Sequence, residues 1–309
     1  MKKLIMDVDT GIDDSLALAY AITLEDYDLI GVTAAFGNVD QISSQKNALT
    51  ILDFLGRSDV KVYPGQMGIE GNNPYVSSSL HVHGPNGLGG VEFAQSKRKA
   101  EEISAIEFLS SSIERYGTEL VIYASGPLAN LAELYRVRPD LVKKTGKIVI
   151  MGGSLFVRGN RTQIAESNIY NDPEDAAFLF SLGLDIVLVG LDVTEKLILT
   201  RNDMDLWTSD VGQKFRRMTE FYIEFHNRCE PNAKEVCFLH DPAAVCYLDH
   251  PEYFKTLTLP VKVLLSGYER GRTIASFREG IPETTHFCIE VDKIKAEKAM
   301  KDSWLKLFG

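Results

Sequence analysis

The chain has 309 residues, 45% of them hydrophobic and 25% charged, a composition typical of a globular protein with a large buried core. Its 43 acidic and 33 basic residues give a net charge of −10, which disfavours nucleic acid as a partner and favours a small uncharged or cationic ligand. The N-terminal segment has too few apolar residues for a signal peptide, and no run approaches the ~20 apolar residues of a membrane span, so we expect a cytoplasmic protein with no membrane partner.

Short apolar runs alternate with longer segments of helical period through much of the chain. Strands are predicted at residues 4–6, 29–36, 60–63, 120–123, 148–151 and 186–189. Helices are predicted at residues 13–24, 41–55, 101–116, 127–137 and 173–182. This order predicts an α/β fold with a largely parallel β-sheet, flanked by helices on both faces in a Rossmann-like arrangement.

The last part of the chain is less regular, with a helical stretch predicted at 202–226, a strand at 257–264 and a closing helix at 293–307. Two long irregular segments, 64–100 and 152–172, interrupt the earlier alternation, and long loops in compact domains tend to carry function. We find no repeat and no linker, and therefore predict a single domain over residues 1–309. The four cysteines lack the spacing of a metal site or a disulfide framework, so we expect them to be reduced and buried.

The first predicted strand is followed by a cluster of acidic residues. Ligands of parallel α/β sheets bind beyond the carboxyl ends of the strands, and here Asp7, Asp9, Asp13 and Asp14 fall within eight residues of that end. Crowded carboxylates raise one another's pKa and resist joint ionisation unless a cation is present. Asp13 or Asp14 alone could cap the helix that begins there, but four carboxylates together favour a site for a hard cation such as Ca²⁺ or Mg²⁺.

Other segments allow both a structural and a functional interpretation. In His240-Asp241-Pro242 the aspartate can cap a helix that begins with proline, as we predict for Asp172-Pro173, but the adjacent histidine can exchange protons near neutral pH. Further polar or glycine-rich segments that follow predicted strands are Gly37-Asn38, Ser125-Gly126, Gly152-Gly153-Ser154 and Asp192-Val193-Thr194.

The two long irregular segments carry further candidates. Asn160, Glu166 and Asn168 have side chains that can hold sugar hydroxyls, although a solvated loop would have the same composition. His81 and His83 precede a glycine-rich run and suggest a flap over a site, although loop histidines are often incidental.

Taken in chain order, these segments resemble the nucleoside hydrolases, enzymes that cleave the N-ribosidic bond of ribonucleosides with water to release the base and ribose. The resemblance runs from Asp7 to about Leu248. The motifs that carry it are Asp7-x-Asp9-Thr10-Gly11-x-Asp13-Asp14, His83-Gly84-x-x-Gly87-Leu88, Gly126-Pro127-Leu128-x-Asn130, Met151-Gly152-Gly153, Glu166-x-Asn168-Ile169-x-x-Asp172-Pro173 and His240-Asp241-Pro242.

The resemblance implies a Ca²⁺ cofactor. Its ligands would be Asp9, Asp14, Asp241 and the backbone carbonyl of Ser125, together with a water and two ribose hydroxyls. Asp13 would take a proton from the Ca²⁺-bound water, which then attacks the anomeric carbon. Because the transition state is expected to be oxocarbenium-like, a carboxylate-rich pocket would also stabilise positive charge on the sugar ring.

The resemblance also implies how a ribonucleoside is held. His240 would assist the departing base, and His83 would contact the base or its flap. Because purine-specific members carry tryptophan at the position of His240, the resemblance favours broad or pyrimidine-preferring activity. A homodimer or homotetramer is implied as well. The side chains that would hold the ribose are Asp14, Asn38, Asn160, Glu166, Asn168 and Asp241.

Two positions depart from the family pattern. Thr10 stands where many members have proline, which alters only the turn. Ser167 stands where many have phenylalanine, and the loss of that ring bears on affinity and base preference. A helix near residues 218–231 would close the site. Its candidate base contacts are Tyr222, Phe225, His226 and Asn227.

Two other functions fit part of the same sequence. In a haloacid-dehalogenase-type phosphatase Asp7 would be the nucleophile and Asp9 the acid/base, but that family expects Thr or Val where Gly11 stands. A non-catalytic, Ca²⁺-dependent sugar-binding protein would need the cation site but neither a base nor an acid. The presence of both Asp13 and His240 disfavours this alternative.

Overall fold

The structure is a computed structural model, which describes residues 1–68, 79–229, 235–277 and 280–309. The strands of these residues are β1 (Lys2–Val8), β2 (Tyr27–Ala34), β3 (Val62–Pro64), β4 (Leu120–Ala124), β5 (Ile148–Met151), β6 (Ile186–Val189), β7 (Ile198–Thr200), β8 (Val236–Phe238), β9 (Phe254–Leu259), β10 (Val261–Val263), β11 (Thr273–Ala275) and β12 (Thr285–Val291). The helices are α1 (Ile12–Ala21), α2 (Gln41–Phe54), α3 (Leu80–His83), α4 (Ala105–Tyr116), α5 (Ala129–Val137), α6 (Ser167–Asn171), α7 (Pro173–Ser181), α8 (Leu191–Thr194), α9 (Asp210–Cys229), α10 (His240–Asp249) and α11 (Lys293–Phe308).

The predicted α/β fold with a largely parallel sheet is confirmed. Eight strands form one sheet in the order β3-β2-β1-β4-β5-β6-β12-β9, and only the edge strand β9 pairs antiparallel to its neighbour. The strand order reverses between β1 and β4, and such a switch point opens a crevice at the carboxyl ends of the two strands. The acidic segment after β1 and Ser125 after β4 therefore lie side by side.

Helices cover both faces of the sheet, which explains why the central strands read as continuous apolar runs. Every residue of β4, β5 and β6 is buried. One hydrophobic core lies under α1, α2, α9, α10 and α11, and a second lies under α4, α5 and α7 on the opposite face. Within the described part of the chain, none of the helices is both long and apolar enough to cross a membrane.

The single strand predicted at 257–264 is wrong. Pro260 divides it into β9, which belongs to the large sheet, and β10, which pairs with β11 in a separate hairpin. Proline has no backbone N–H to contribute to a ladder, so the pairing changes there.

The continuous helix predicted at 202–226 is also wrong. A 3₁₀ turn at Asn202–Met204 is followed by a separate helix, α9. The hydroxyl of Ser209 accepts a hydrogen bond from the Gly212 N–H (3.0 Å), and this cap sets the start of α9.

The helix predicted from residue 101 begins four residues later, at Ala105. Ser104 and Glu107 form a reciprocal capping box, in which each side chain accepts a hydrogen bond from the other's backbone N–H. The irregular segments hold two short helices, α3 and α6, that periodicity over a long window does not detect.

Cys229 is exposed rather than buried as expected, whereas the other three cysteines are buried and unbridged.

Candidate active site

A cavity opens at the switch point between β1 and β4. Nine of the predicted site residues line it: Asp13, Asn38, His83, Ser125, Asn160, Glu166, Asn168, His240 and Asp241. Seven further residues line the cavity: Ser79, Val82, Met151, Ser167, Glu195, Cys229 and Phe238. Met151 and Ser167 were noted in the sequence, whereas the other five were not predicted as site residues. Three side chains of α9, Tyr222, Phe225 and His226, complete the wall.

Three buried carboxylates meet at one end of the cavity. Asp13 and Asp14 lie in the first turn of α1, and Asp241 is the second residue of α10. One oxygen from each of the three lies within 4.8 Å of the others. Residues far apart in sequence thus converge because α1 and α10 pack against each other on the same face of the sheet.

Asp14 combines a capping role with a place in this cluster. Its Oδ2 accepts a hydrogen bond from the N–H of Gly11 (2.8 Å), the residue that precedes α1, and its Oδ1 accepts one from the hydroxyl of Ser125 (2.7 Å). The helix-capping interpretation of this residue is therefore correct, and it coexists with the carboxylate cluster. Asp241, in contrast, does not cap α10. The alternative in which it caps a helix that begins with proline is wrong, because α10 already begins at His240.

Asn38 joins Asp9 to Asp14. Its backbone N–H donates to Asp9 Oδ2 (2.7 Å), and its side-chain amide donates to Asp9 Oδ1 (3.1 Å) and to Asp14 Oδ2 (3.0 Å). Gly37, with φ of +151°, makes this approach feasible, since a Cβ there would lie 2.0 Å from Asp9 Oδ2. The turn after β2 thus brings an amide between two carboxylates.

Burial is the main electrostatic feature of the cluster. It raises the pKa of Asp13 to about 6 and raises the pKa of Asp9 and Asp241 well above the usual range. The charge of Asp14 adds to the effect of burial on Asp9, while the Asn38 N–H opposes it. The neighbouring charges of Asp13, Asp14 and Asp9 act on Asp241 in the same direction as burial. Without a cation, these groups resist simultaneous ionisation.

The donor set of the cluster fits a hard divalent cation. Among the described residues, Asp13 Oδ1 and Asp241 Oδ2 are buried oxygens with no hydrogen-bond partner, and an unsatisfied buried carboxylate oxygen is costly. All the available donors are oxygens, which Ca²⁺ and Mg²⁺ prefer. The cluster can therefore hold such an ion.

Asp7 does not join the carboxylate cluster. Its Oδ1 accepts hydrogen bonds from Thr33 Oγ1 (2.5 Å) and Asn130 Nδ2 (2.7 Å), and Asn130 in turn accepts a hydrogen bond from the Gln66 N–H. Asp7 thus anchors β1 to β2 and α5. The initial grouping of four acidic residues was wrong in this respect, because the Asp7 side chain points to the face of the sheet covered by α5, whereas α1 and α10 cover the opposite face.

The polar wall of the cavity is held by backbone donors. Glu166 precedes α6 and accepts hydrogen bonds from the N–H groups of Gly153, Asn168 and Ile169 (2.8–3.0 Å). Burial raises the pKa of Glu166, and these N–H groups lower it. Asn168 donates to the Ser125 carbonyl (2.9 Å), so one lone pair of that oxygen is already used.

The position of Asn160 is set by the same short helix. Its side-chain oxygen accepts a hydrogen bond from the N–H of Ser167 (2.9 Å), the first residue of α6. Asn160 therefore reaches the cavity from an exposed loop that α6 holds in place. Asn160 can therefore belong to a solvated loop and still be available to a sugar hydroxyl in the cavity.

The opposite wall is aromatic. The ring of His83, at the end of α3, stacks against Tyr222 of α9 with centroids 5.7 Å apart, and Phe225 lies parallel to Tyr222. His83 Nδ1 accepts a hydrogen bond from the Ile12 N–H (3.2 Å). Burial lowers the pKa of His83 to about 4, so the ring is neutral near pH 7.

Tyr222 links the aromatic wall to the acidic cluster. Its hydroxyl donates to Asp13 Oδ2 (3.3 Å), on the side of Asp13 away from the unpartnered Oδ1. Burial and the charge of Asp13 raise the pKa of Tyr222, which keeps the phenol protonated. Asp13 is thus the carboxylate that stands between the other acidic residues and the aromatic wall.

His240 lines the cavity beside aromatic rings. Its Nδ1 is 2.8 Å from the hydroxyl of Thr194, and the rings of Phe238 and His226 lie 5.9 and 6.4 Å from its own. Burial lowers the pKa of His240 to about 3, and the proximity of His226 and His83 contributes. The ring is therefore neutral at physiological pH.

One predicted base contact, Asn227, does not line the cavity. Asn227 binds Glu235, donating to its carboxylate (3.1 Å) and accepting its backbone N–H (2.7 Å), and so holds the backbone next to β8 rather than lining the cavity. The end of the predicted closing helix at 230–231 lies outside the described residues. His81 is exposed, and its ring contacts Phe225.

The fold and this site define a class of protein: a parallel α/β protein with a buried carboxylate cluster at its switch point, facing a cavity with one polar and one aromatic wall. The chain belongs to the inosine-uridine preferring nucleoside hydrolase family, whose model matches residues 4–301. It is thus an N-glycosidase of the nucleoside hydrolase type, and the phosphatase alternative is wrong.

Known relatives cover nearly the whole chain. The chain is 36% identical to a probable uridine nucleosidase 2 of Arabidopsis thaliana, over 88% of this chain and 85% of that protein. It is 31% identical to the pyrimidine-specific ribonucleoside hydrolase RihA of an Enterobacter species, over 94% and 93% of the two chains. Among solved structures, a purine-preferring ribonucleoside hydrolase from Gardnerella vaginalis superposes with a TM-score of 0.95 at 36% identity and covers 99% of each chain.

Proposed function

We propose that this protein hydrolyses the N-ribosidic bond of ribonucleosides, with Ca²⁺ as cofactor and Asp13 as general base. The observation that carries this proposal is the convergence of Asp13, Asp14 and Asp241 at one end of a cavity whose walls suit a sugar and a base. A non-catalytic sugar-binding protein would not need a neutral, buried histidine on the base side.

Asp9, Asp14, Asp241 and the Ser125 carbonyl are the residues that would hold the cation. The partnerless Oδ2 of Asp241 and the second lone pair of the Ser125 carbonyl support this assignment. Bound there, the ion would lower the pKa of a coordinated water and offset the repulsion among the buried carboxylates.

Asp13 is the base in this proposal because, among the described residues, one of its oxygens has no hydrogen-bond partner and the other is oriented by Tyr222. A carboxylate with a raised pKa is better matched to proton transfer near neutral pH than one with an ordinary pKa. The water oxygen adds to the anomeric carbon as the C–N bond breaks, and the electron pair of that bond moves to the base. The departing base anion then gains a proton from solvent and Asp13 releases the one it took, so that one water is added across the C–N bond.

The ribose would lie against Asn38, Asn160, Glu166 and Asn168. Glu166 and Asn168 are buried and held by the backbone, so they require little reorganisation to bind hydroxyls. The acidic end of the cavity favours positive charge on the sugar ring, which is the charge that develops in an oxocarbenium-like transition state.

His240 would support the departing base with its ring nitrogen. Since the ring is neutral, it acts here as a hydrogen-bond donor to the base nitrogen that gains electron density. His83, Tyr222 and Phe225 supply flat surfaces on which a base ring can pack.

The base preference proposed here is broad or pyrimidine-preferring. The relatives' names include a uridine nucleosidase, a pyrimidine-specific hydrolase and a purine-preferring hydrolase at 31–36% identity, so overall similarity does not select one base class. His240 favours a broad or pyrimidine preference, because the purine-specific members of the family carry tryptophan at this position.

Release of free ribose is the direct test of this function. We expect ribose from uridine and inosine, and from at least one of cytidine, adenosine and guanosine, with no phosphate released from a phosphate-ester control. Ribose binding without ribose release from any nucleoside would support the sugar-binding alternative.

Replacement of His240 by alanine is expected to slow hydrolysis of uridine and inosine about 10²-fold or more but to largely spare 4-nitrophenyl riboside. Nitrophenolate is a stable anion that needs no hydrogen bond to depart, whereas a nucleobase anion does. The measurement is kcat on the natural and the activated substrate, with metal content checked in both proteins. Equal losses on both substrates would assign His240 to positioning the sugar or supporting the turn, and loss of the metal would show that it acts through Asp241.

A further inference from the structure

A buried polar contact behind His240 has no role in the function proposed so far. Thr194, the last residue of α8, is fully buried, and its hydroxyl is the group 2.8 Å from His240 Nδ1. It belongs to the polar segment 192–194 that follows β6. Unlike Ser125, which follows β4, Thr194 does not line the cavity, and its hydroxyl contacts His240, which does.

The backbone around this contact fixes its geometry. The Leu239 N–H donates to the Leu197 carbonyl (3.0 Å), and the antiparallel pair β7–β8 places Ile198 opposite Phe238. The segment that follows Thr194 is therefore bound to the segment that precedes His240. The hydroxyl and the ring face each other because of this ladder and do not depend on the rotamer of a loose side chain.

The direction of the hydrogen bond follows from what a buried hydroxyl needs. A threonine hydroxyl carries one hydrogen to donate, and among the described residues His240 Nδ1 is the acceptor that the structure places within its reach. If Nδ1 carried the ring proton, the hydroxyl would accept that hydrogen bond and its own hydrogen would be buried without an acceptor. That arrangement incurs the desolvation cost of an unsatisfied donor. The hydroxyl therefore donates, and Nδ1 accepts.

We propose that Thr194 is a positioning residue that donates its hydroxyl hydrogen to His240 Nδ1 and so keeps the ring proton on Nε2. Nε2 is the nitrogen available to a molecule in the cavity, because Nδ1 is occupied. The catalytic consequence rests on the proposed function: a ring locked in this tautomer presents an N–H to the departing base, whereas the other tautomer would present a lone pair and repel it.

The tautomer can be observed directly in the intact protein. Histidine labelled with ¹⁵N, in protein purified with Ca²⁺, gives ring resonances whose shifts and couplings distinguish Nδ1 from Nε2 protonation. The chain has six histidines, and the signals of residue 240 are assigned by their loss in a His240→Gln variant. We expect a protonated Nε2 and an unprotonated, hydrogen-bonded Nδ1. A proton on Nδ1, or a mixture of both tautomers, would overturn the inference.

Activity measurements test whether the contact matters for the reaction. Thr194→Val removes the hydroxyl at nearly constant volume and should lower kcat for uridine about fivefold to tenfold, the value of one hydrogen bond, with KM little changed. It should have less effect on 4-nitrophenyl riboside, and Thr194→Ser should recover most of the lost activity. Thr145→Val is the matched control, because it removes a hydroxyl that bonds Tyr135 and the Leu141 carbonyl far from the cavity.

A double variant separates a role through His240 from a general structural one. If Thr194 acts through the ring, adding Thr194→Val to the His240→Ala variant should not lower kcat for uridine any further. Additive losses in kcat would contradict the inference. Equal losses on both substrates would contradict it as well. Failure to release ribose from any nucleoside would instead refute the proposed function and leave the tautomer measurement valid, so the two failures are distinguishable.

Discussion

Replacement of Asp13 by asparagine is expected to lower kcat/KM for ribonucleosides by ~10²- to 10⁴-fold while the calcium content of the protein stays unchanged. The carboxamide keeps the size of the side chain and can still contact Tyr222, but it cannot take a proton from water. The measurements are steady-state kinetics on uridine and inosine, and elemental analysis of the same preparations.

The control for this prediction is Asp14→Asn, which should lose calcium and substrate binding together. Asp14 accepts hydrogen bonds from Gly11 and Ser125 and belongs to the proposed ligand set. Asp13 also lies within the group of carboxylates that could hold an ion. If Asp13→Asn emptied the metal site as Asp14→Asn is expected to, the roles of base and ligand would have to be exchanged.

The pH dependence of the wild-type reaction should reflect the same base. A general base must be ionised, so kcat/KM should fall as the pH drops through the pKa of Asp13. Burial raises that pKa to about 6, and a nearby cation lowers it again because it favours the carboxylate form. The acid limb should therefore lie at or below pH 6 and be absent from the residual activity of Asp13→Asn.

Much of the fold follows from the sequence because apolar runs and helical periods are local signals. The central strands β4, β5 and β6 are buried on both faces, and their apolar runs are unambiguous. The errors arose where one residue redirects the chain. Pro260 ended a strand inside an apolar pattern, and the cap at Ser209 started a new helix inside a helical pattern.

The site was harder to predict than the fold because its contacts are non-local. The acidic segment pointed to a cation site, but the sequence alone could not show that Asp7 turns toward Asn130 while Asp241 joins the cluster from α10. Phe238 and Glu195 line the cavity from segments without a motif. Thr194 lay in a polar segment noted at a strand end, but its partner His240 is 46 residues away.

Calcium is expected to stabilise the protein strongly, and more so at pH 7 than at pH 5. A ligand that binds only the folded state adds RT ln(1 + [L]/Kd) to the free energy of unfolding, about 4 kcal/mol at 1,000 times Kd. In the metal-free protein, burial raises the pKa of Asp9, Asp13, Asp14 and Asp241 above their unfolded values, and repulsion between carboxylates adds to it for Asp9, Asp14 and Asp241. Groups with raised pKa values lose stability as the pH rises through those values, so the chelated protein should be weakened at pH 7 relative to pH 5.

The measurement is Tm by calorimetry at both pH values, after exhaustive chelation and after calcium is restored, together with ribose release. Asp241→Asn should lose calcium and the calcium-dependent rise in Tm, because it removes a buried carboxylate whose Oδ2 has no partner among the described residues. Asp172→Asn is the matched control, since Asp172 is an equally buried acid that caps α7 outside the cluster and should leave calcium binding intact. Chelated protein that keeps its Tm and its ribose release at both pH values would mean that the carboxylate cluster works without a cation, and that Asp13 acts on a water activated by the protein alone.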